Sequence, residues 1–72
     1  MILEHLAQAE RHVAEGQEHV ARQREIASQL HRDGHTEAAE EAGKLLAQFE
    51  EMQTLHVADR DRLLKELAEN SN

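Results

Sequence analysis

One stretch interrupts an otherwise continuous helical pattern, the segment LHRDGHTEAAEE around Gly34. The chain has no proline and only three glycines, while good helix formers such as Ala, Glu, Leu and Gln are abundant. Gly34 suits the left-handed position that follows a helix, and His31 and Arg32 before it would face the negative end of the helix dipole. Thr36 is a good N-cap for a second helix. The segment therefore predicts a turn at about residues 33–36 between two long helices.

Two long helices joined by so short a turn are expected to be antiparallel neighbours. The first predicted helix covers about residues 2–33 and the second about residues 36–69, each about 50 Å long at a rise of about 1.5 Å per residue. The tail, residues 70–72, is expected to fray. A length of 72 residues allows one small domain. The predicted fold class is therefore all-α, an antiparallel two-helix hairpin that forms a single domain over residues 1–72.

The first predicted helix carries a seven-residue repeat, in which a histidine precedes an aliphatic residue at His5, His12 and His19. In heptad notation the histidines take position g, beside the a and d positions of a helix–helix seam. The residues at a are Leu6, Val13, Val20 and Ala27, and those at d are Ile2, Ala9, Gly16, Gln23 and Leu30. The repeat predicts a seam with small residues at its centre and histidines along one edge.

The second predicted helix has an apolar stripe with helical spacing. Its members are Ala38, Ala42, Leu45, Leu46, Phe49, Met52, Leu55 and His56, and the stripe resumes at Leu63, Leu64 and Leu67. The polar run between the two parts has the sequence DRDR and begins at Asp59. Its charges are expected to pair on the surface at i,i+3 and i,i+4, and polar interruptions of this kind can fix the register of a partner helix.

Gly16 is expected to lie opposite Met52 and near Phe49. A glycine inside a helix costs about 1 kcal/mol relative to alanine, so its presence suggests that something bulky packs against it. A turn centred near Gly34 pairs positions that are equally far from it on either side, and this places Gly16 opposite Met52. The large side chains of the second helix are therefore expected to fill the space that the glycine leaves.

A single hairpin buries only one side of each stripe, and both stripes are broad. Chains of this size have small cores, and two hairpins can remedy this by forming a four-helix bundle. We therefore expect a homo-oligomer, with a dimer as the main expectation and a tetramer as the alternative. The expected interface residues are Leu6, Val13, Gly16, Val20, Leu30, Leu45, Phe49, Met52, Leu63 and Leu67. An amphipathic helix of another protein is a further expected partner, and the relative direction of two hairpins stays open.

Two segments, RHVAEGQEHVARQREI and FEEMQTLHVADRDRLLKEL, carry a resemblance to known sequences. They resemble small acidic helical-hairpin proteins of alpha-proteobacteria, over most of residues 4–67, and HVADRDRLLKEL is the most specific part. The resemblance implies a helical hairpin and a bacterial source, and it brings no active site with it. The architecture is also similar to that of the dimeric hairpin that regulates plasmid copy number by gripping RNA, but fold alone does not carry function.

The composition argues against nucleic acid and membranes as partners. The net charge is −7 and aromatic residues make up 1% of the chain, so basic surfaces for phosphates and aromatic platforms for bases are both missing. No apolar run is long enough to span a membrane, and the first residues lack the basic and apolar regions of a signal peptide. We therefore expect a cytoplasmic protein that binds neither nucleic acid nor membranes.

The sequence contains no residue pattern typical of an enzyme. It has no HExxH, no Glu-x-x-His pair of the di-iron type, no glycine-rich phosphate loop, and no nucleophile beside a base. Adjacent acids such as Glu40 and Glu41 point to different faces of a helix and indicate a solvated surface. We therefore expect a non-enzymatic, self-associating interaction or scaffold module, with no catalytic residue and no cofactor-binding residue.

Histidine is the unusual residue, with six copies. Neighbouring histidines of the repeat, such as His5 and His12, are about 10.5 Å apart along one helix, too far to share a metal ion. Across the helices His12 falls opposite His56, with Asp59 one turn further on, so His12, His56 and Asp59 are candidate ligands for Zn or Ni. The alternative function is thus a histidine-mediated metal-binding or pH-responsive bundle. The simpler interpretation is that the rings pack their carbon edges along the seam, where charging them at acid pH would be unfavourable.

Overall fold

The computed structural model describes residues 1–70 and contains two antiparallel helices, α1 (Ile2–Arg32) and α2 (Thr36–Asn70). Together they form a rod of 57 × 14 × 14 Å. The all-α helical hairpin predicted from the single break is confirmed. Each bound differs from the prediction by at most one residue. Asn70, which was expected in the frayed tail, is the last residue of α2, and the rest of that tail (71–72) lies outside the described residues.

The turn is closed by a Schellman motif. Gly34 has the left-handed φ of 78° that the sequence predicts. The His35 N–H donates to the Leu30 carbonyl at 2.9 Å, and the Gly34 N–H donates to the His31 carbonyl at 3.1 Å. These two bonds satisfy carbonyl groups that the end of α1 leaves without helical partners.

The prediction that Thr36 caps α2 was wrong by one residue. The His35 carbonyl accepts the first helical bond from the Ala39 N–H at 2.8 Å, and Thr36 is already the first residue of the helix. His35 therefore occupies the cap position. The physical reason is that the Schellman motif ends at His35, so α2 begins directly after it.

The seam between the helices follows the predicted heptads of α1. Every a and d position of that helix is buried or half-buried. On α2 the seam residues are spaced by alternating steps of three and four: Ala39, Ala42, Leu46, Phe49, Gln53, His56, Arg60, Leu63 and Leu67. The core cluster lies at the open end, where Leu6, Ala9 and Leu63 pack together with Ile2 and Leu67 against them.

The predicted stripe of α2 was too broad because it merged two faces of the helix. Leu45 and Met52 are 41% and 50% exposed and lie outside the seam, whereas Gln53 and Arg60 are half-buried within it. An apolar pattern cannot reveal a seam that polar side chains occupy. The other residues named as an expected interface lie at the seam between α1 and α2 within the hairpin, and a contact between two hairpins through them stays a prediction: Leu6, Val13, Gly16, Val20, Leu30, Phe49, Leu63 and Leu67.

Two glutamine side chains cross the seam and donate hydrogen bonds to backbone carbonyls of the opposite helix. Gln23 Nε2 donates to the Ala42 carbonyl at 3.0 Å, and Gln53 Nε2 donates to the Val13 carbonyl at 2.9 Å. A backbone carbonyl has two lone pairs, so it accepts such a bond in addition to its helical one. Both bonds form in only one alignment of the helices, and they therefore fix the register.

Gly16 faces Gln53, and the prediction that it lies opposite Met52 was wrong. A Cβ atom at residue 16 would overlap Oε1 of Gln53. Because one residue along a helix is a rotation of about 100°, this single-step difference turns Met52 to the outside. A larger side chain does fill the space at the glycine, but it is a polar amide.

We expect Gly16→Ala and Gly43→Ala to differ in their effect on stability. Both glycines lie in helix interiors, where alanine is favoured by about 1 kcal/mol. A Cβ at residue 43 meets nothing within 4 Å, so Gly43→Ala should raise the free energy of unfolding by about 0.5–1 kcal/mol. At residue 16 the Cβ displaces the Gln53 amide and breaks its bond to Val13, which offsets about 1 kcal/mol of the gain.

Thermal melts followed by circular dichroism measure this difference. The control is Gln53→Ala in both backgrounds: without the amide, Gly16→Ala should recover the full gain in helix propensity. If Gly16→Ala stabilises the wild-type chain as much as Gly43→Ala does, Gln53 does not pack against residue 16.

Candidate functional site

One long side of the hairpin carries the histidines of α1 and the exposed apolar residues of α2. We call it the histidine–leucine face. On α2 we take the seam residues Leu46 and Gln53 as position a and Ala42 and Phe49 as position d, and the face is then formed by positions g and c of the two helices. Its main members are His5, His12, His19 and Ile26 on α1 with Leu45, Met52, Leu55, Asp59 and Arg62 on α2. Its two halves differ in character, since the half near the open end is polar and the half near the turn is apolar.

The polar half contains a cleft of about 220 Å³ lined by residues of both helices, among them His5, His12, Asp59 and Arg62. Arg62 bonds Asp59 at 2.8 Å and Glu66 at 2.9 Å, which confirms the predicted i,i+3 and i,i+4 pairing on the surface. The hydrogen bond that the Arg62 guanidinium donates to Asp59 and the negative charge of Glu66 raise the pKa of Arg62. The cation therefore stays charged in all working buffers.

His12 and His56 face each other across the seam beside this cleft. Their ring centroids are 5.4 Å apart and the ring planes are tilted by 47°. Both residues are half-buried. The expected juxtaposition of His12 with His56 is therefore present.

The third candidate ligand, Asp59, is engaged elsewhere because its carboxylate is paired with Arg62. Within residues 1–70 no group of three His, Asp or Glu side chains is close enough together to hold a metal ion. Two imidazoles supply half of the tetrahedral set that Zn usually takes. A metal at His12 and His56 would thus need ligands from another molecule.

His19 stacks on Phe49, with ring centroids 5.6 Å apart and an interplanar angle of 19°. Phe49 was expected near Gly16, and it lies at the seam one turn from Gln53, the residue that faces that glycine. The imidazole covers one side of a half-buried aromatic ring while remaining exposed on its other side. Like the contact of His12 with His56, it agrees with histidines that pack their rings along the edge of the seam.

The apolar half of the face follows from the same register. His12 lies beside Asp59 at the cleft. One heptad toward the turn on each helix places His19 beside Met52, and a second heptad places Ile26 beside Leu45. The exposed fractions are 41% for Ile26 and Leu45 and 50% for Met52.

No protein-family model, curated protein or solved structure matches this chain. The resemblance to alpha-proteobacterial hairpins and the bacterial source therefore remain predictions. Within the part of the chain that the structure describes, neither helix has a stretch both long and apolar enough to cross a membrane.

Proposed function

We propose that this chain is a non-enzymatic helical interaction or scaffold module that self-associates, as a homodimer, into a four-helix bundle. The observation that carries the proposal is the thinness of the core. Among the described residues only five hydrophobic side chains are buried, and these are Leu6, Ala9, Val13, Ala42 and Leu63. No large side chain in that part of the chain is fully buried.

The shape of the hairpin explains why its core is thin. Each helix has only one neighbour, so each buries one narrow stripe, in a rod whose cross-section is 14 × 14 Å. Long helices owe most of their stability to the packing of an apolar face rather than to helix propensity. A second hairpin packed alongside would bury side chains such as Leu45 and Met52, which are exposed in the described part of the hairpin.

The charge supports a protein partner. At −7 the chain repels phosphate backbones and anionic lipid surfaces, so we propose a cytoplasmic module that binds neither nucleic acid nor membranes. A tetramer and a complex with an amphipathic helix of another protein are the alternative assemblies. The role in the cell would then be to hold proteins together rather than to transform a substrate.

Light scattering after size exclusion at micromolar concentration is expected to return twice the chain mass of 8.2 kDa. Refractive index must report the concentration, since the chain has no Trp or Tyr. Dilution should lower helicity and melting temperature together, because dissociation uncovers the apolar faces. A stable 8.2 kDa monomer with undiminished helicity would contradict self-association. A fourfold mass would keep self-association and replace the dimer by a tetramer.

A second candidate function is supported by the contact between His12 and His56. Two imidazoles from each copy of a dimer would complete a four-nitrogen set of the kind that Zn or Ni accepts, so the bundle would bind metal or respond to protons. Zinc titration followed by thermal melts should then raise the melting temperature of the wild type and leave His12→Gln/His56→Gln unchanged. The His31→Gln/His35→Gln variant should keep the response. If zinc stabilises every variant equally, these two residues are not the ligands.

A further inference from the structure

The apolar half of the histidine–leucine face contains a group of exposed apolar residues, which we call the turn-half patch and define by Ile26, Leu45, Met52 and Leu55. Leu45, Met52 and Leu55 follow one another at spacings of seven and three residues, so they lie on one side of α2. Leu55 is 60% exposed. The other exposed large hydrophobic residues of the described chain are Met1, Leu3 and Leu64, all toward the open end. The patch therefore concentrates the exposed apolar surface that lies away from the helix termini.

The patch is also free of acidic residues in a chain that has 15 of them. The remaining g and c positions within it are held by His19 and Arg22 on α1 and by Gln48 on α2. Glu18 and Glu51 occupy positions on the outer side of each helix, whereas Glu15 and Glu41 share position c with Arg22 and Gln48 and lie just beyond the two ends of the patch. The patch itself therefore adds no like charge when a second copy with the same net charge of −7 approaches along this side.

The area of this side of the hairpin matches what a stable dimer requires. The rod is 57 Å long and 14 Å wide, so one whole long side has a projected area of about 800 Å². Specific interfaces of standard size bury about 800 Å² on each partner, with an apolar centre and a polar rim. The turn-half patch is only part of this side, so it would supply the apolar centre and the polar half of the face would supply rim. A second hairpin has the same length and width as the side that it would cover.

Gln48 gives the patch a self-complementary polar group. A side-chain amide carries both donors and an acceptor, so two copies of Gln48 can bond each other across a two-fold axis. Gln48 lies between Leu45 and Met52 along α2, near the middle of the apolar row. We propose that the turn-half patch is the apolar centre of the homodimer interface, covered by the same patch of a second copy. This inference rests on the self-association proposed above and specifies the face that it uses.

The test compares two double variants that remove similar exposed side chains from different places. Leu45→Gln/Met52→Gln should raise the dimer dissociation constant by about 100-fold or more, because four apolar side chains leave the interface. The control, Leu3→Gln/Leu64→Gln, should change it by less than about threefold. Analytical ultracentrifugation over a concentration series, with circular dichroism on the same samples, measures both.

A second experiment, disulfide cross-linking, tests the proposal even if Leu45→Gln/Met52→Gln unfolds, because it detects a new product rather than a loss of binding. The chain has no cysteine, so single cysteines can be placed at will. Gln48→Cys should form disulfide-linked dimers under mild oxidation. Ala47→Cys, about 100° around the same helix and turned away from the patch, should not.

The outcomes separate this inference from the one on which it rests. If the wild type is a dimer that only the control variant disrupts, or that Ala47→Cys cross-links while Gln48→Cys does not, then another face forms the interface. Self-association would still stand in that case. If the wild type is monomeric at all concentrations, both proposals are overturned and the patch is left for a different protein.

Discussion

The arrangement of the hairpin depends on the contact of Gln53 with α1 at Gly16. The Gln53 amide donates to the Val13 carbonyl, and its Oε1 atom lies against Gly16, buried and without a hydrogen-bond partner within the described chain. A buried acceptor without a donor is unfavourable, so this geometry is tolerable only because the glycine lets the helices approach and the donated bond forms. Gln23 makes an equivalent bond in the opposite direction, since its amide on α1 donates to the Ala42 carbonyl on α2. The two amides stabilise one register at the expense of a fully apolar seam.

That register decides what the outer surface presents. With Gln53 turned inward, the adjacent Met52 points outward, and the positions one heptad apart on α1 and α2 form a row along one edge. At one end of this row the imidazoles of His12 and His56 meet beside the Asp59–Arg62 ion pair. Toward the turn the same row becomes apolar. The register that Gln23 and Gln53 fix therefore gives this surface one polar half, which carries the histidines, and one apolar half, which is suited to association.

The two helices differ in how far their sequence predicts them. For α1 the prediction was accurate down to individual residues, because its a and d positions are mostly apolar or small and its edge is marked by histidines at regular intervals. For α2 the helix and its bounds were predictable, but its orientation was not. Polar residues such as Gln53 and Arg60 take seam positions there while leucines take outer ones. The sequence pattern of α2 therefore indicates a broad apolar stripe. Only the contacts of Gln53 with Gly16 and Val13 show which edge of that stripe faces α1.

The distances along the histidine–leucine face show that its two halves adjoin without a gap. His56 lies four residues, about 6 Å along α2, from Met52, and it is the sequence neighbour of Leu55. At about 0.1 M salt the Debye length is about 10 Å, so charge placed at the contact of His12 with His56 acts on the near end of the turn-half patch. The same charge is largely screened at Leu45, about 16 Å along α2 from His56. A metal held by His12 and His56 would therefore bear on the near end of the proposed dimer interface as well as on the seam of each hairpin.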